Sequence, residues 1–136
     1  MSTPDIAARQ LAGTALAPAG SGLVLAEWTA QGSVGDEPAY QAPLHKHLED
    51  EAWYVLEGTL RIRADEHVHE IAAGGAVIVP GGTAHTFWNP HAGPARYLLI
   101  MGARTYALIQ AIHATDDRTA AHMRQLYAQY GATLLD

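Results

Sequence analysis

Apolar and polar residues alternate along this chain in short runs cut by Gly and Pro, and the runs predict strands. Residues 22–29, G-L-V-L-A-E-W-T, read as one. Residues 59–64, T-L-R-I-R-A, alternate apolar and charged side chains as a half-buried strand does. Asp65-Glu66 turns the chain, and 67–72 returns. Residues 39–46, 52–56, 76–79, 84–88 and 95–101 complete the set. Residues 17–22 and 31–38 read as loops, Gly74-Gly75 and Pro80-Gly81-Gly82 as tight connections, and Gly58 as the φ > 0 position of a turn.

The two ends read differently. Thr3-Pro4-Asp5 before I-A-A-R-Q-L-A predicts either a short helix, with Thr3 as N-cap and Pro4 in its first turn, or an edge strand covering the sheets. After residue 101 the period becomes helical, over 104–113 and again over 117–130. Ala121, Met123, Leu126, Tyr127 and Tyr130 form a loose apolar stripe on the second helix. Thr115, Asp116 and Asp117 are expected to supply its cap and acidic first turn, and Gly131 its stop. We therefore expect one domain in three parts. An N-terminal extension with the first strands spans 1–38, a barrel core spans 39–101, and a helical tail spans 102–136.

With 136 residues the chain is long enough for one real core. Frequent Gly and Pro between short apolar runs favour an all-β sandwich or barrel. No cysteine is present, so disulfides and thiolate ligands are excluded, in keeping with a cytoplasmic location. The first ten residues lack the basic and apolar segments of a signal peptide, and no run approaches a membrane span. Net charge is −6, with Lys46 the single lysine and no basic stripe. That argues against nucleic acid and anionic membranes as partners.

Candidate chemistry concentrates in two stretches. In L-H-K-H-L-E-D-E (44–51), His45 and His47 stand two apart, so on a strand both imidazoles point to one face. Glu51 keeps the same parity four residues on. His85 lies in a second apolar run after the Pro80-Gly81-Gly82 turn. Three imidazoles and a carboxylate suit one divalent transition metal per chain (Fe, Mn, Ni, Co, Cu or Zn) and not Ca or Mg, which prefer oxygen donors.

These residues resemble the two motifs of the cupin superfamily. The first motif matches as His45, His47, Glu51 and Gly58, the second as Gly74, Pro80, Gly82, His85 and Asn89. One element departs: Ala39 stands where the first motif opens with Gly. The resemblance spans 39–89 and implies a double-stranded β-helix, a jelly-roll barrel, here with C-terminal helices. It implies His45, His47, Glu51 and His85 as metal ligands. It also implies a homodimer, since cupins pair through sheet edges that are otherwise a liability. It does not fix the reaction, because one scaffold hosts many chemistries. Small metal cupins include quercetinase-like dioxygenases, sugar isomerases and polyketide cyclases.

Trp53, Val55 and Phe87 share the ligands' parity and should point inward, as wall of a substrate pocket or as core filling. Tyr40, Trp28 and Met101 are further lining candidates. Tyr54 and Trp88 have opposite parity and should pack between sheets or at a dimer interface. His67 and His69 also read H-x-H, but lie beside Asp65 and Glu66 with no third ligand at matching spacing, so they read as a solvated hairpin. His91, His113 and His122 read as surface residues, with His91 near a rim. Arg61 and Arg63 read as a solvated strand face. The expected function is a dioxygenase-like oxidoreductase on a small aromatic, enol or diketone, with Glu51 as ligand and general base. A Zn-dependent cyclase or isomerase and a non-catalytic binding protein are the alternatives.

Overall fold

The computed structural model describes residues 6–136. The expected cap at Thr3 and Pro4 lies outside these residues, and 6–10 carry no regular structure. Among the described residues, ten strands form two antiparallel five-stranded sheets. The first sheet runs in the order β1 (Ala15–Leu16), β2 (Leu23–Ala30), β9 (Ala95–Gly102), β4 (Glu51–Glu57) and β7 (Ala76–Val79). The second runs β10 (Ala132–Leu134), β3 (His45–His47), β8 (His85–Trp88), β5 (Thr59–Ala64) and β6 (His67–Ala72). Helices α1 (Ala103–Ala114) and α2 (Ala120–Gln129) follow β9.

Alternation builds the core. Glu51, Trp53 and Val55 of β4, Leu60 and Ile62 of β5, and Ala95, Tyr97, Leu99 and Met101 of β9 are all buried between the sheets. Burying these side chains is the main stabilising term, at roughly 25 cal/mol per Å² of apolar area. Tyr54 is partly exposed on the outer face. Trp88 also faces outward but is buried, with Tyr40 set edge-on to its ring at 5.3 Å. Gly58 takes φ 80° at the β4–β5 turn, as its position implies.

Three elements differ from expectation. The strand expected over 39–46 is regular only at His45–His47. Pro43 has no N–H to give a ladder, and the preceding segment instead follows β8 irregularly, through Gln41 N–H to Phe87 O (2.9 Å) and Thr86 Oγ1 to Ala42 O (2.5 Å). The second helix starts at Ala120, not 117. Its N-cap is Thr119, whose Oγ1 accepts from His122 N–H, while Asp117 Oδ1 accepts from Thr119 N–H and Oγ1–H. The acidic residues thus brace the cap from outside, and the first turn contains none. Finally, the tail ends in a strand. Gly131 stops α2 at φ 73°, and β10 then pairs with β3, setting Ala132 against His47 and Leu134 against His45. The tail has a small core of its own around Leu108, Leu126, Tyr127 and Ala132.

Candidate metal centre

His45, His47, Glu51 and His85 meet inside the barrel, all four buried, with one ligand atom from each lying within 4.8 Å of the others. The fold brings them from both sheets. His45 on β3 stands directly opposite His85 on β8. The turn 48–50 then carries the chain across to the other sheet, where Glu51 opens β4. Ring centroids are 4.4 Å apart for His45–His85, 4.8 Å for His47–His85 and 5.4 Å for His45–His47.

The tautomers follow from the backbone. Each imidazole sets Nδ1 against a carbonyl: His45 to Pro43 O (2.7 Å), His47 to Glu49 O (2.8 Å) and His85 to Thr83 O (2.8 Å). A carbonyl only accepts, so each Nδ1 carries the proton and donates it. His45 and His85 thus present Nε2 lone pairs to one point, and His47 Nε2 joins them once it gives up the proton it shares with Glu51 in the metal-free chain. Glu51 Oε2 sits 2.6 Å from His47 Nε2 and 3.4 Å from His85 Nε2. His85 Nε2 is buried without a hydrogen-bond partner. Buried lone pairs gathered around a carboxylate are costly unless a cation stands among them. A divalent metal fits this donor set, and the backbone carbonyls supply the outer contacts that orient metal-binding histidines.

Electrostatics agree with a cation-seeking site. Burial pushes the Glu51 carboxyl up, but the hydrogen bond from His47 and the close approach of the His47 and His85 imidazoles outweigh it and hold it at about 2. Burial, then the neighbouring His85, lowers His45 to about 4. Burial also works to lower His47, but Glu51 outweighs it and His47 ends raised. The pH dependence of metal affinity follows. A metal must displace the proton that His47 holds in the metal-free chain, whereas His45 and Glu51 are already deprotonated above about pH 5. Affinity should therefore fall as pH drops through the raised His47 value, approaching a slope of about one proton per metal there. Titration against a chromophoric chelator between pH 5.5 and 8.5 measures this; a flat profile would contradict the assignment.

Supporting contacts come from the tail and from the second turn. α1 has no side-chain cap of its own. Instead, Glu49 Oε1 accepts from Thr105 N–H and Oγ1–H, both at 2.7 Å, placing a carboxylate at the helix N-terminus. The residue whose carbonyl orients His47 thus also anchors α1. Asp50 Oδ1 accepts from Gly81 N–H (2.8 Å), and His47 O accepts from Gly82 N–H (2.7 Å).

A cavity of about 350 Å³ adjoins the four residues. Trp53 and Phe87 line it, as does Trp28. Val55 is buried in the core, Tyr40 is exposed against Trp88, and Met101 is buried; none of the three is among the lining residues. Tyr97 and Leu99 from β9 also line the cavity, although the alternation in A-R-Y-L-L-I-M-G could have marked them. The cavity is roofed by Leu108, Ile109 and Ile112 of α1 and Tyr127 of α2. Tyr127 stands edge-on to His45 with centroids 5.8 Å apart. His113, not His91, reaches the cavity. His67 and His69 are exposed on β6 and belong to no metal-capable group among the described residues. Arg61 Nε donates to Glu70 Oε1 on the solvated face (2.8 Å).

A two-sheet barrel with three inward histidines and a glutamate defines a class of small metal-binding barrels. The chain belongs to the cupin family: the family model for the cupin domain matches residues 33–101, which include all four site residues. No curated protein matches the sequence. Among solved structures, a protein from Thermus thermophilus is 26% identical with TM-score 0.52, over 60% of this chain and 72% of its own. A sugar phosphate isomerase of the cupin superfamily from Silicibacter pomeroyi is 25% identical with TM-score 0.52, over 60% of this chain and 51% of its own. The chain thus spans about half of that isomerase. A cupin protein from Bacteroides fragilis shares the fold at TM-score 0.57 and 19% identity, over 72% of this chain and 81% of its own. Among the described residues no helix is long and apolar enough to cross a membrane.

Proposed function

We propose that the protein is a metal-dependent cupin enzyme, a dioxygenase-like oxidoreductase acting on a small aromatic, enol or diketone. The observation that carries this reading is the wall of the cavity. Trp28, Trp53, Phe87, Leu99, Ile109 and Ile112 surround it, and no Lys or Arg is among its lining residues. A sugar phosphate needs cations and many donors. A flat, largely apolar molecule with oxygens at one edge suits this wall better.

When bound, a redox-active metal would supply an electrophilic centre for a substrate oxygen anion and for O₂. His45, His47 and His85 would hold it through Nε2. Glu51 is a firm anion and a weak base when its carboxyl is held this low. Its role in this reading is therefore to hold the cation, and proton removal from the substrate requires the His47–Glu51 hydrogen bond to be given up first. The helical roof covers part of the cavity with apolar side chains, which lowers the dielectric around the site and strengthens electrostatic interactions there.

A second reading, a non-redox isomerase or cyclase with Zn, is favoured by the sugar phosphate isomerase among the similar structures. Elemental mass spectrometry of freshly purified protein, followed by an oxygen electrode with flavonols, diketones and catechols, separates the two. The dioxygenase reading expects close to one Fe, Mn, Ni, Co or Cu per chain, and O₂ uptake that ceases in chelated protein. One Zn per chain without uptake would move the assignment to the second reading.

A further inference from the structure

Tyr97 stands out among the groups that the metal cluster does not use. It is 3% exposed, lies on the inward face of β9 and lines the cavity. Its hydroxyl makes no hydrogen bond among the described residues. It is also not one of the sealed, unpartnered polar atoms, which are Trp53 Nε1 and His85 Nε2. The hydroxyl therefore opens on the cavity space. Its ring is fixed edge-on to Phe87 at 5.6 Å, and Phe87 in turn to Trp53 at 5.4 Å, so the phenol cannot swing away to find a partner elsewhere. Burial first, and then the charge of Glu51, push its pKa up, so it is a neutral phenol with a proton to donate. A buried Tyr hydroxyl usually finds a partner, and one left open on a cavity is a place where a ligand supplies it.

We propose that Tyr97 is the second anchor of the cavity: its hydroxyl donates to an oxygen of a flat, two-oxygen ligand whose other oxygen lies at the His45–His47–Glu51–His85 cluster. This rests on the metal-centre reading above. It narrows the ligand class to planar molecules bearing two separated oxygen functions, such as a phenol that also carries a carboxylate or carbonyl. Trp53 and Phe87 wall the ring between the anchors, and Ile109 and Ile112 close it from the roof. A molecule with the metal-binding oxygen alone leaves the Tyr97 hydroxyl unpaired on binding. Desolvating it without a partner lowers affinity.

The test uses Zn-loaded wild-type protein and Tyr97→Phe, which keeps the ring. Benzoate and the ortho, meta and para isomers of hydroxybenzoate are titrated into each by calorimetry. In the wild type, at least one isomer should bind about tenfold more tightly than benzoate. In Tyr97→Phe that preference should fall to within twofold, with benzoate bound at least as tightly as by the wild type, because no hydroxyl is left to desolvate, and with metal content unchanged. The melting temperature should not fall, since the hydroxyl holds nothing in the fold; a clear drop would assign it a structural role and overturn the proposal. So would a wild type with no preference, a preference retained in the variant, or no binding of any probe. Repeating the titration on His85→Ala separates the two readings. A Tyr97-dependent preference that persists there supports Tyr97 and removes the metal anchor.

Discussion

His85→Ala is expected to purify folded yet retain less than about a tenth of an equivalent of metal, against close to one in the wild type. His85 carries the lone pair that the protein leaves unpaired, it is 1% exposed, and it faces both His45 and His47. Without it the remaining donors are two imidazoles and one carboxylate, and the cavity loses the side that β8 supplies. The fold should survive. The core residues around it, Trp53 and Phe87, stay in place, and truncation of one ring costs about 2–3 kcal/mol of packing. Part of that is offset in the metal-free chain, where the imidazole is an unsatisfied group. Elemental analysis and circular dichroism read the two effects separately. His69→Ala, on the exposed β6, should change neither. Unchanged metal stoichiometry in His85→Ala would show that the four residues are not the ligand set.

The parts of the fold that a period of two controls were legible in the sequence. The spacing of His45 and His47, and the parity of Trp53, Val55 and Phe87, placed their side chains inside the barrel, where they are found. Tyr97 and Leu99 obey the same alternation, but nothing local distinguishes a cavity wall from core filling. Val55 and Trp53 are equally buried, yet only Trp53 meets the cavity. The roof was illegible for a different reason. The apolar stripe of α2 shows that it packs, but not on what. That Leu108 and Ile112 cover the metal side of the barrel depends on contacts across more than fifty residues, from Glu49 at the start of α1 to β10 against β3. β10 itself is three residues long and sits behind a helix stop, too short to show a period.

Gly81→Ala should lower the melting temperature by roughly 10 °C, a loss of about 3 kcal/mol, and should strip metal as well. The reason is not backbone conformation. An added Cβ at Gly81 would overlap the Leu48 carbonyl oxygen, a backbone atom that cannot rotate away. The two loops that carry the ligands touch at this point. Gly81 N–H donates to Asp50 and Gly82 N–H to His47 O, while Thr83 O holds the ring of His85. Forcing the 80–83 turn away from 48–50 therefore moves His85 relative to His47 and Glu51, and a ligand set spread by even half an ångström loses much of its affinity. The neighbouring motif glycine gives the control. Gly82 has φ 86° with open space where a Cβ would stand. Gly82→Ala should cost only about 1–2 kcal/mol of backbone strain and keep most of its metal. Thermal unfolding and elemental analysis on the pair decide the matter. If Gly81→Ala melts within 2 °C of the wild type, the two loops are not in the tight register that the site geometry requires. If the two variants lose metal equally, strain in the turn matters to the site more than the approach of the loops.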